Sequence, residues 1–351
     1  MTTLERHHAD RPVSSPGTVQ HRMSVDQAHE TPCPALAVDD VSRKIADLDI
    51  VDHVSFEVAV GELMVLVGPS GCGKSSLLRV IAGLDRAANG RVVLDGEDIT
   101  ALPPEKRRIG LVFQDHALFP HRRVDQNIAF GLTDLDRRAR SKRVDELLEL
   151  VRLPGVGNRY PHELSGGEQQ RIALARALAP DPAVVLLDEP FASLDPSLRD
   201  EVRGDVVAAL RERNAAAVLV THERDEALAL GDRVAVMSSG KVLQIGRPDE
   251  VYERPVDRFV AEFLGEASFL PDADGHVAMA RPHDLSMTAG GVDTVAARRY
   301  LGSTWRFEVH RADGVVVDVD VPVGPGDAAL PVGAAVTVTV TAAHPLHRLP
   351  A

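Results

Sequence analysis

The chain has 351 residues, 26% of them charged, with a formal net charge of −13 and a sequence pI of about 5.5. A length beyond about 250–300 residues favours two cores over one, and an acidic balance without a basic stripe argues against a nucleic-acid partner. The longest apolar runs, such as Leu63 to Val67 and Ala183 to Leu187, fall well short of the roughly 20 residues a membrane-crossing helix needs. The two cysteines, Cys33 and Cys72, suit a reducing compartment rather than a structural disulfide.

Residues 1–34 lack the apolar segment of a secretion signal and are rich in His, Ser, Pro and charge, as expected of a disordered extension in a cytoplasmic protein. His7, His8, His21 and His29 lie there without ligand-like spacing. Further on, Leu63 to Val67, Val184 to Leu187, Ala217 to Val220 and Val234 to Met237 are continuous apolar runs. Such runs suit strands buried on both faces of a parallel sheet, so an α/β core is predicted.

The first of these runs leads into GPSGCGKS, Gly68 to Ser75, and then into a helix with Leu77, Leu78, Ile81 and Leu84. Strand, glycine-rich loop and helix in that order make a phosphate cradle. The glycines let backbone N–H groups turn inward, and the helix N-terminus adds its positive dipole end. Gly68, Pro69, Ser70, Gly71, Cys72, Gly73, Lys74, Ser75 and Ser76 are the predicted nucleotide-binding residues. Lys74 is expected to reach the β- and γ-phosphates and the Ser75 hydroxyl to bind Mg²⁺. Beside Lys74 and a helix N-terminus, the Cys72 thiol is expected to have a lowered pKa and to be reactive.

Val92 to Leu94 followed by Asp95-Gly96 reads as a tight turn at an antiparallel edge. Between about 115 and 180 the pattern turns charged and helical, with Val144, Leu147, Leu148 and Val151 on one stripe, which predicts a helical insert in the core. Near its end Ser165 and Glu168 have capping-box spacing before QQRIALARAL, a helix closed by Pro180 and Pro182. With Gly166 and Gly167 this helix start presents N–H groups to an anion. Ala183 to Leu187 then ends in Asp188-Glu189. A carboxylate committed to a metal is a poor base, so two adjacent acids can divide the work, one for the metal and one for water.

From about 267 the period becomes 2. Trp305, Phe307 and Val309 alternate with Arg306, Glu308 and His310, and Val336, Val338 and Val340 alternate with threonines. Turn residues between the runs complete the pattern of a small all-β domain.

LSGGEQQ, Leu164 to Gln170, together with GPSGCGKS and the motifs around them, resembles the ATP-binding cassette (ABC) family of transport ATPases over roughly residues 36–250. The resemblance implies an α/β P-loop NTPase core with an antiparallel β edge and a helical insert. It implies ATP hydrolysis, with Asp188 in the Mg²⁺ shell, Glu189 polarising the attacking water, and the pattern continuing through PFASLD to Asp195. Gln114, in LVFQD, would link the metal site to the insert and to a membrane partner, and His222, in VLVTHERDEAL, would contact the γ-phosphate. Ser165, Gly166, Gly167 and Glu168 would contact ATP held by a second subunit, so a homodimer is implied. His116 and His121, flanking LFP, would sit where the transport subunit docks. The family's adenine-stacking aromatic is replaced here by Ile45, and no aromatic occurs between Ala35 and His53.

Phe263 to Pro271 (FLGEASFLP), RPHDL and YLGS are similar to ferric-ion and polyamine importer ATPases, whose C-terminal domain is oligosaccharide-binding-like (OB-like). That likeness implies uptake, with ferric iron first and polyamine second. It also implies integral membrane permease subunits, an extracytoplasmic binding protein, and a place on the cytoplasmic face of the inner membrane. A soluble ABC ATPase acting on DNA or ribosomes is the alternative; such proteins carry coiled-coil inserts or tandem cassettes. The expected division is an extension to residue 34, a cassette over 35–250, a linker over 251–266 and a regulatory β domain over 267–351.

Overall fold

The computed structural model describes residues 33–271, 276–324, 330–342 and 345–349. The predicted N-terminal extension, with its histidines, lies outside the described residues apart from Cys33 and Pro34.

The first part of the chain contains β1 (Leu36–Ile45), β2 (Leu48–Val58), β3 (Leu63–Val67), α1 (Lys74–Ile81), β4 (Asn89–Leu94), β5 (Glu97–Asp98) and β6 (Ile109–Val112). The predicted helical insert follows as α2 (Val124–Ile128), α3 (Arg137–Leu150) and α4 (Gly166–Leu178). The core is completed by β7 (Val184–Asp188), α5 (Pro196–Glu212), β8 (Ala216–Thr221), α6 (Arg224–Leu230), β9 (Arg233–Ser238), β10 (Lys241–Gly246), α7 (Pro248–Glu253) and α8 (Arg258–Leu264).

The central sheet has the order β10-β9-β3-β8-β7-β6, parallel throughout except for β10. Its apolar runs are buried on both faces, and alternation within each strand decides which neighbour they meet. Leu63, Val65 and Val67 pack toward the helical layer with Val185 and Leu187, whereas Met64 and Leu66 pack with Val218 and Leu186 against α1 and the second sheet. That second sheet, β2-β1-β4-β5, is antiparallel, and Asp95-Gly96 makes its tight turn with φ of 49° and 82°. Two consecutive positive φ values are what a two-residue hairpin matched to strand twist requires.

In the insert, α3 buries Val144, Leu147 and Leu148 as the stripe predicts. Asp136 caps it by accepting from the N–H groups of Arg138 and Ala139. No helix among the described residues is long and apolar enough to cross a membrane.

Residues 251–266 are not a bare linker. They form the second half of α7 and all of α8, and Val251, Val260 and Leu264 are buried in the same core cluster as β3 and β7. Beyond them come β11 (Ser268–Pro271), β12 (Val277–Ala280), β13 (Leu285–Tyr300), β14 (Thr304–His310), β15 (Val316–Pro322), β16 (Ala335–Val340) and β17 (His347–Leu349). They form a three-stranded sheet, β11-β12-β17, and a four-stranded sheet, β15-β14-β13-β16. This all-β region is consistent with a small OB-like domain, and Phe307, Val309, Val317, Val319 and Val336 fill its core.

One buried cation joins the β region to the helices. The Arg281 guanidinium donates to the carbonyls of Tyr252, Ala261, Gly265 and Glu266 at 2.7–3.2 Å and lies 4.0 Å over the Tyr252 ring. Burial lowers its pKa. His347 adds a second tie, its Nε2 donating to Pro255 O at 2.9 Å.

Replacing Arg281 by Ala removes these charge-assisted bonds, and each bond to a charged donor contributes about 1.5–3 kcal/mol. Trp305, the only tryptophan, reports on the β region from β14. Its fluorescence transition in urea is expected to move down by on the order of 1 M in Arg281→Ala; an unchanged midpoint contradicts the anchoring role.

Candidate active site

The parallel register carries four chain segments to one edge of the central sheet. Val67 is aligned with Thr221, Asp188 with Val220, and Val112 with Leu187, so β3, β8, β7 and β6 end side by side. The residues that follow those strand ends are the phosphate loop, His222, Glu189 and Gln114. Ligands of open α/β sheets bind at such carboxyl ends.

The phosphate loop is held tightly. Gly71 and Gly73 have φ of 79° and 109°, and a Cβ on Gly73 would collide with the Ile50 carbonyl. Lys74 is 4% exposed, and its ammonium donates to Gly68 O at 2.8 Å and Pro69 O at 3.0 Å. Ser75 Oγ donates to Asp188 Oδ1 at 2.7 Å, across 113 positions of sequence. Burial raises the Asp188 pKa and the nearby Glu189 adds to the shift, against the Ser75 bond and the Lys74 charge.

Glu189 has φ of 44°, and its N–H donates to Val220 O at 3.0 Å. A left-handed backbone at a non-glycine residue costs of order 1–3 kcal/mol and persists where the surroundings fix it. Here it accompanies a carboxylate whose Oε2 lies 3.1 Å from His222 Nδ1.

The structure thus brings together Lys74, Ser75 and Asp188 and, beside them, Glu189 and His222. Other predicted residues make no side-chain hydrogen bond to this cluster among the described residues. Gln114 is exposed in the turn after β6, and Asp195 is exposed at the start of α5. Ser165 and Glu168 form the expected capping box, with Ser165 N–H donating to Glu168 Oε2 at 2.8 Å and Glu168 N–H to Ser165 Oγ at 3.3 Å. The Ser165 N–H also lowers the Glu168 pKa. No hydrogen bond joins Ser165–Glu168 to the phosphate loop among the described residues, and Ser165 and Gly166 are exposed. Gly167 is buried, and a Cβ there would come within 2.7 Å of Leu198 and 2.9 Å of Val202, so glycine permits the close approach of α4 to α5.

Ile45 pairs with Leu48 at the tip of the β1–β2 hairpin, and both are exposed. Leu48 carries no local sequence signal, because only the hairpin sets it opposite Ile45.

Two expectations are corrected. Cys72 is 8% exposed and burial raises its thiol pKa, outweighing Lys74, whose Nζ lies 3.8 Å from Sγ. His116 is buried rather than displayed for docking, because Arg176 draws the His116 and Ala117 carbonyls onto α4 at 3.1 and 2.7 Å. His121 is exposed.

The family model described as ABC transporter matches residues 51–192. Over 243 residues the chain is 51% identical to the spermidine/putrescine import ATP-binding protein PotA of Pseudomonas fluorescens, covering 68% of this chain and 67% of that protein. Over 287 residues it is 45% identical to the sulfate/thiosulfate import ATP-binding protein CysA of Mycobacterium tuberculosis, covering 81% and 80%. Among solved structures, a dimeric post-hydrolysis ATP-binding cassette bound to ADP and Pi is similar at 30% identity and a TM-score of 0.54, covering 61% of this chain and 98% of that one. The cbiO1 protein of Clostridium perfringens, part of the ABC transporter complex cbiONQ, is similar at 30% identity and a TM-score of 0.57, covering 62% and 90%.

Fold and site define a P-loop ATPase. The chain belongs to the ABC transporter family, among its ATP-hydrolysing subunits.

Raised thiol pKa and burial set the reactivity of Cys72. In the native protein, iodoacetamide at neutral pH is expected to label the exposed Cys33 well before Cys72, as read by peptide mass spectrometry. Rapid labelling of Cys72 before unfolding contradicts the buried position.

Proposed function

We propose that this chain hydrolyses Mg²⁺-ATP in sites shared between two copies and thereby powers uptake of a small solute through separate membrane subunits. The observation that carries the shared site is the separation of its halves. Lys74, Ser75, Asp188, Glu189 and His222 gather at the strand ends, while the capped, anion-receptive start of α4 is exposed and makes no hydrogen bond to them among the described residues. A second copy supplies the missing half if its α4 start meets this chain's phosphate loop. The dimeric solved relative with ADP and Pi supports that arrangement.

The donor set suits a hard divalent cation. Ser75 Oγ and Asp188 Oδ1 offer two oxygens at one point, and no group of three or more His, Cys, Asp or Glu side chains gathers for a metal among the described residues. Mg²⁺ typically takes one or two protein oxygens and completes its shell with phosphate and water. Bound there, it would neutralise charge on the phosphates; Gln114 is the proposed further ligand, approaching from the turn after β6. Lys74 binds the β- and γ-phosphates by exchanging its loop carbonyls for them. Glu189 holds the attacking water and takes up its proton as the new bond to γ-phosphorus forms and the β–γ bridging bond breaks, giving ADP and phosphate. His222 holds Glu189 in place and contacts the γ-phosphate. Ile45, with Leu48, offers the adenine an aliphatic surface in place of a ring.

The import reading rests on the relatives' names and on the appended β domain, proposed to span 267–351 and to be of the transport-associated OB-like type. Those names favour polyamine over ferric iron as cargo and add sulfate as a candidate. Integral membrane permease subunits, bound by this chain at the cytoplasmic face of the inner membrane, and an extracytoplasmic binding protein complete the proposed assembly.

Glu189→Gln is expected to keep ATP binding while turnover falls at least about a hundredfold, with an ATP-bound dimer seen by gel filtration; near-normal turnover sinks the assignment. Sharing is tested by mixing Lys74→Ala with Ser165→Arg chains. Each parent should be inactive and the mixed dimers should regain ATPase at their one intact site, whereas wild-type activity in either pure mutant counts against shared sites. In liposomes carrying the whole transporter, external binding protein loaded with polyamine is expected to stimulate ATPase more than empty protein. Stimulation by sulfate-loaded or iron-loaded protein alone replaces the cargo, and ATP-driven efflux with no binding-protein requirement ends the import reading.

A further inference from the structure

Glu223 follows His222 directly, at the start of α6, and its carboxylate is gripped from α5. Arg199 Nη1 donates to Glu223 Oε1 at 2.6 Å and Arg203 Nη2 to Glu223 Oε2 at 2.8 Å. Arg203 Nε reaches on to Glu226 Oε1 at 2.9 Å, and Glu226 is nearly fully buried. Arg199 also turns back: its Nη2 donates to Leu194 O at 3.2 Å, immediately before Asp195. The Arg203 guanidinium lies 5.9 Å from the Phe191 ring centroid. The Glu223 N–H closes a short turn onto Thr221 Oγ1 at 3.0 Å.

Followed residue to residue, these contacts form a ring. From Glu189 the chain runs through Phe191 to Leu194; Arg199 joins Leu194 to Glu223; Glu223 is bonded to His222; and His222 returns to Glu189 at 3.1 Å. The carboxylate and the imidazole stand on two loops, one after β7 and one after β8, whose roots are already paired through Asp188 and Val220 and through the Glu189 N–H bond to Val220 O at 3.0 Å. Beyond that pairing, the side-chain bridge between the two loops is the Arg199–Glu223 pair, with Arg203 as its second support. Arg199 and Glu223 are 22% and 32% exposed at their side chains, and the two Glu223 oxygens are divided between Arg199 and Arg203, so the charge-assisted bonds are sheltered and directional.

We infer that Arg199 and Glu223 are positioning residues for hydrolysis, holding His222 against Glu189 and making that contact depend on the Leu194–Asp195 loop. This rests on the assignment of Glu189 and His222 made above. Displacement of the exposed loop at Asp195 is transmitted through Arg199 to Glu223 and so to the His222–Glu189 contact. A partner can thus tighten or release the catalytic pair without touching it.

The test compares the full chain with Glu223→Gln, Glu223→Ala, Arg199→Lys and the Arg199→Ala/Glu223→Ala double variant, with Glu189→Gln as control. The measurements are kcat and KM for ATP, nucleotide Kd and melting temperature. Glu223→Ala is expected to lower kcat about tenfold or more, while Kd changes by less than about twofold. The double variant should be no worse than the worse single, because both break one ring. Glu223→Gln, which preserves shape and one acceptor, should recover part of kcat. A kcat within twofold of wild type in Glu223→Ala overturns the inference, as does a fall in kcat and melting temperature together with no recovery in Glu223→Gln or Arg199→Lys. An active Glu189→Gln control would instead remove the catalytic assignment beneath it.

Discussion

The structure depends on the register of its parallel strands. Because β3, β8, β7 and β6 pair in parallel and end level with one another, four segments far apart in sequence deliver a phosphate loop, a histidine, two carboxylates and a glutamine to one edge. Of these strands, β3, β7 and β8 are buried on both faces, with Val65, Val185, Leu187 and Leu219 on one and Leu66, Val184, Val218 and Val220 on the other. A slip by one residue would exchange the two faces of a strand and rotate the residue at its end away from the site, so burial itself fixes the chemistry. The 2.7 Å bond from Ser75 to Asp188 follows from that alignment.

Outside the sheet, buried polar side chains do the joining. Asn127, fully buried in α2, accepts from Phe119 N–H and donates to the carbonyls of Phe119, Arg122 and Arg123. Arg176 holds the preceding turn at His116 and Ala117. The segment beginning just past Gln114 is therefore tied to the helical insert rather than to the sheet. Arg107 fastens α1 in a comparable way, through the carbonyls of Val80, Ile81, Thr100 and Leu102. Each cation is satisfied by carbonyl oxygens in known positions, which gives direction to contacts that apolar packing alone would leave loose.

The core was legible in the sequence wherever one local pattern determined one element. The apolar runs became β3, β7, β8 and β9, the Asp95-Gly96 signal became a turn, and the Ser165–Glu168 spacing became a capping box. What stayed hidden depends on side-chain direction or on distant partners. The residues around Cys72 suggested an activated thiol, but its side chain points beneath the loop into the core, and desolvation prevails over the lysine. His116 lies in a stretch that looks like surface until Arg176, some 60 residues on, turns it inward. The segment 251–266 was too short for helical periodicity to stand out, yet it buries Val251, Val260 and Leu264. Arg199, Arg203 and Glu223 look like ordinary surface charge until α5 and α6 are packed together.

The most direct test of the central claim, that these strand ends form one metal-nucleotide site, is a structure of the Glu189→Gln chain with ATP and Mg²⁺. Lys74 Nζ should have left the Gly68 and Pro69 carbonyls for the β- and γ-phosphates. Ser75 Oγ should lie on the metal, with Asp188 beside it and the α4 start of a second copy on the γ-phosphate. Nucleotide bound away from the strand ends, with Lys74 still on its loop carbonyls and Ser75 still on Asp188, would contradict it.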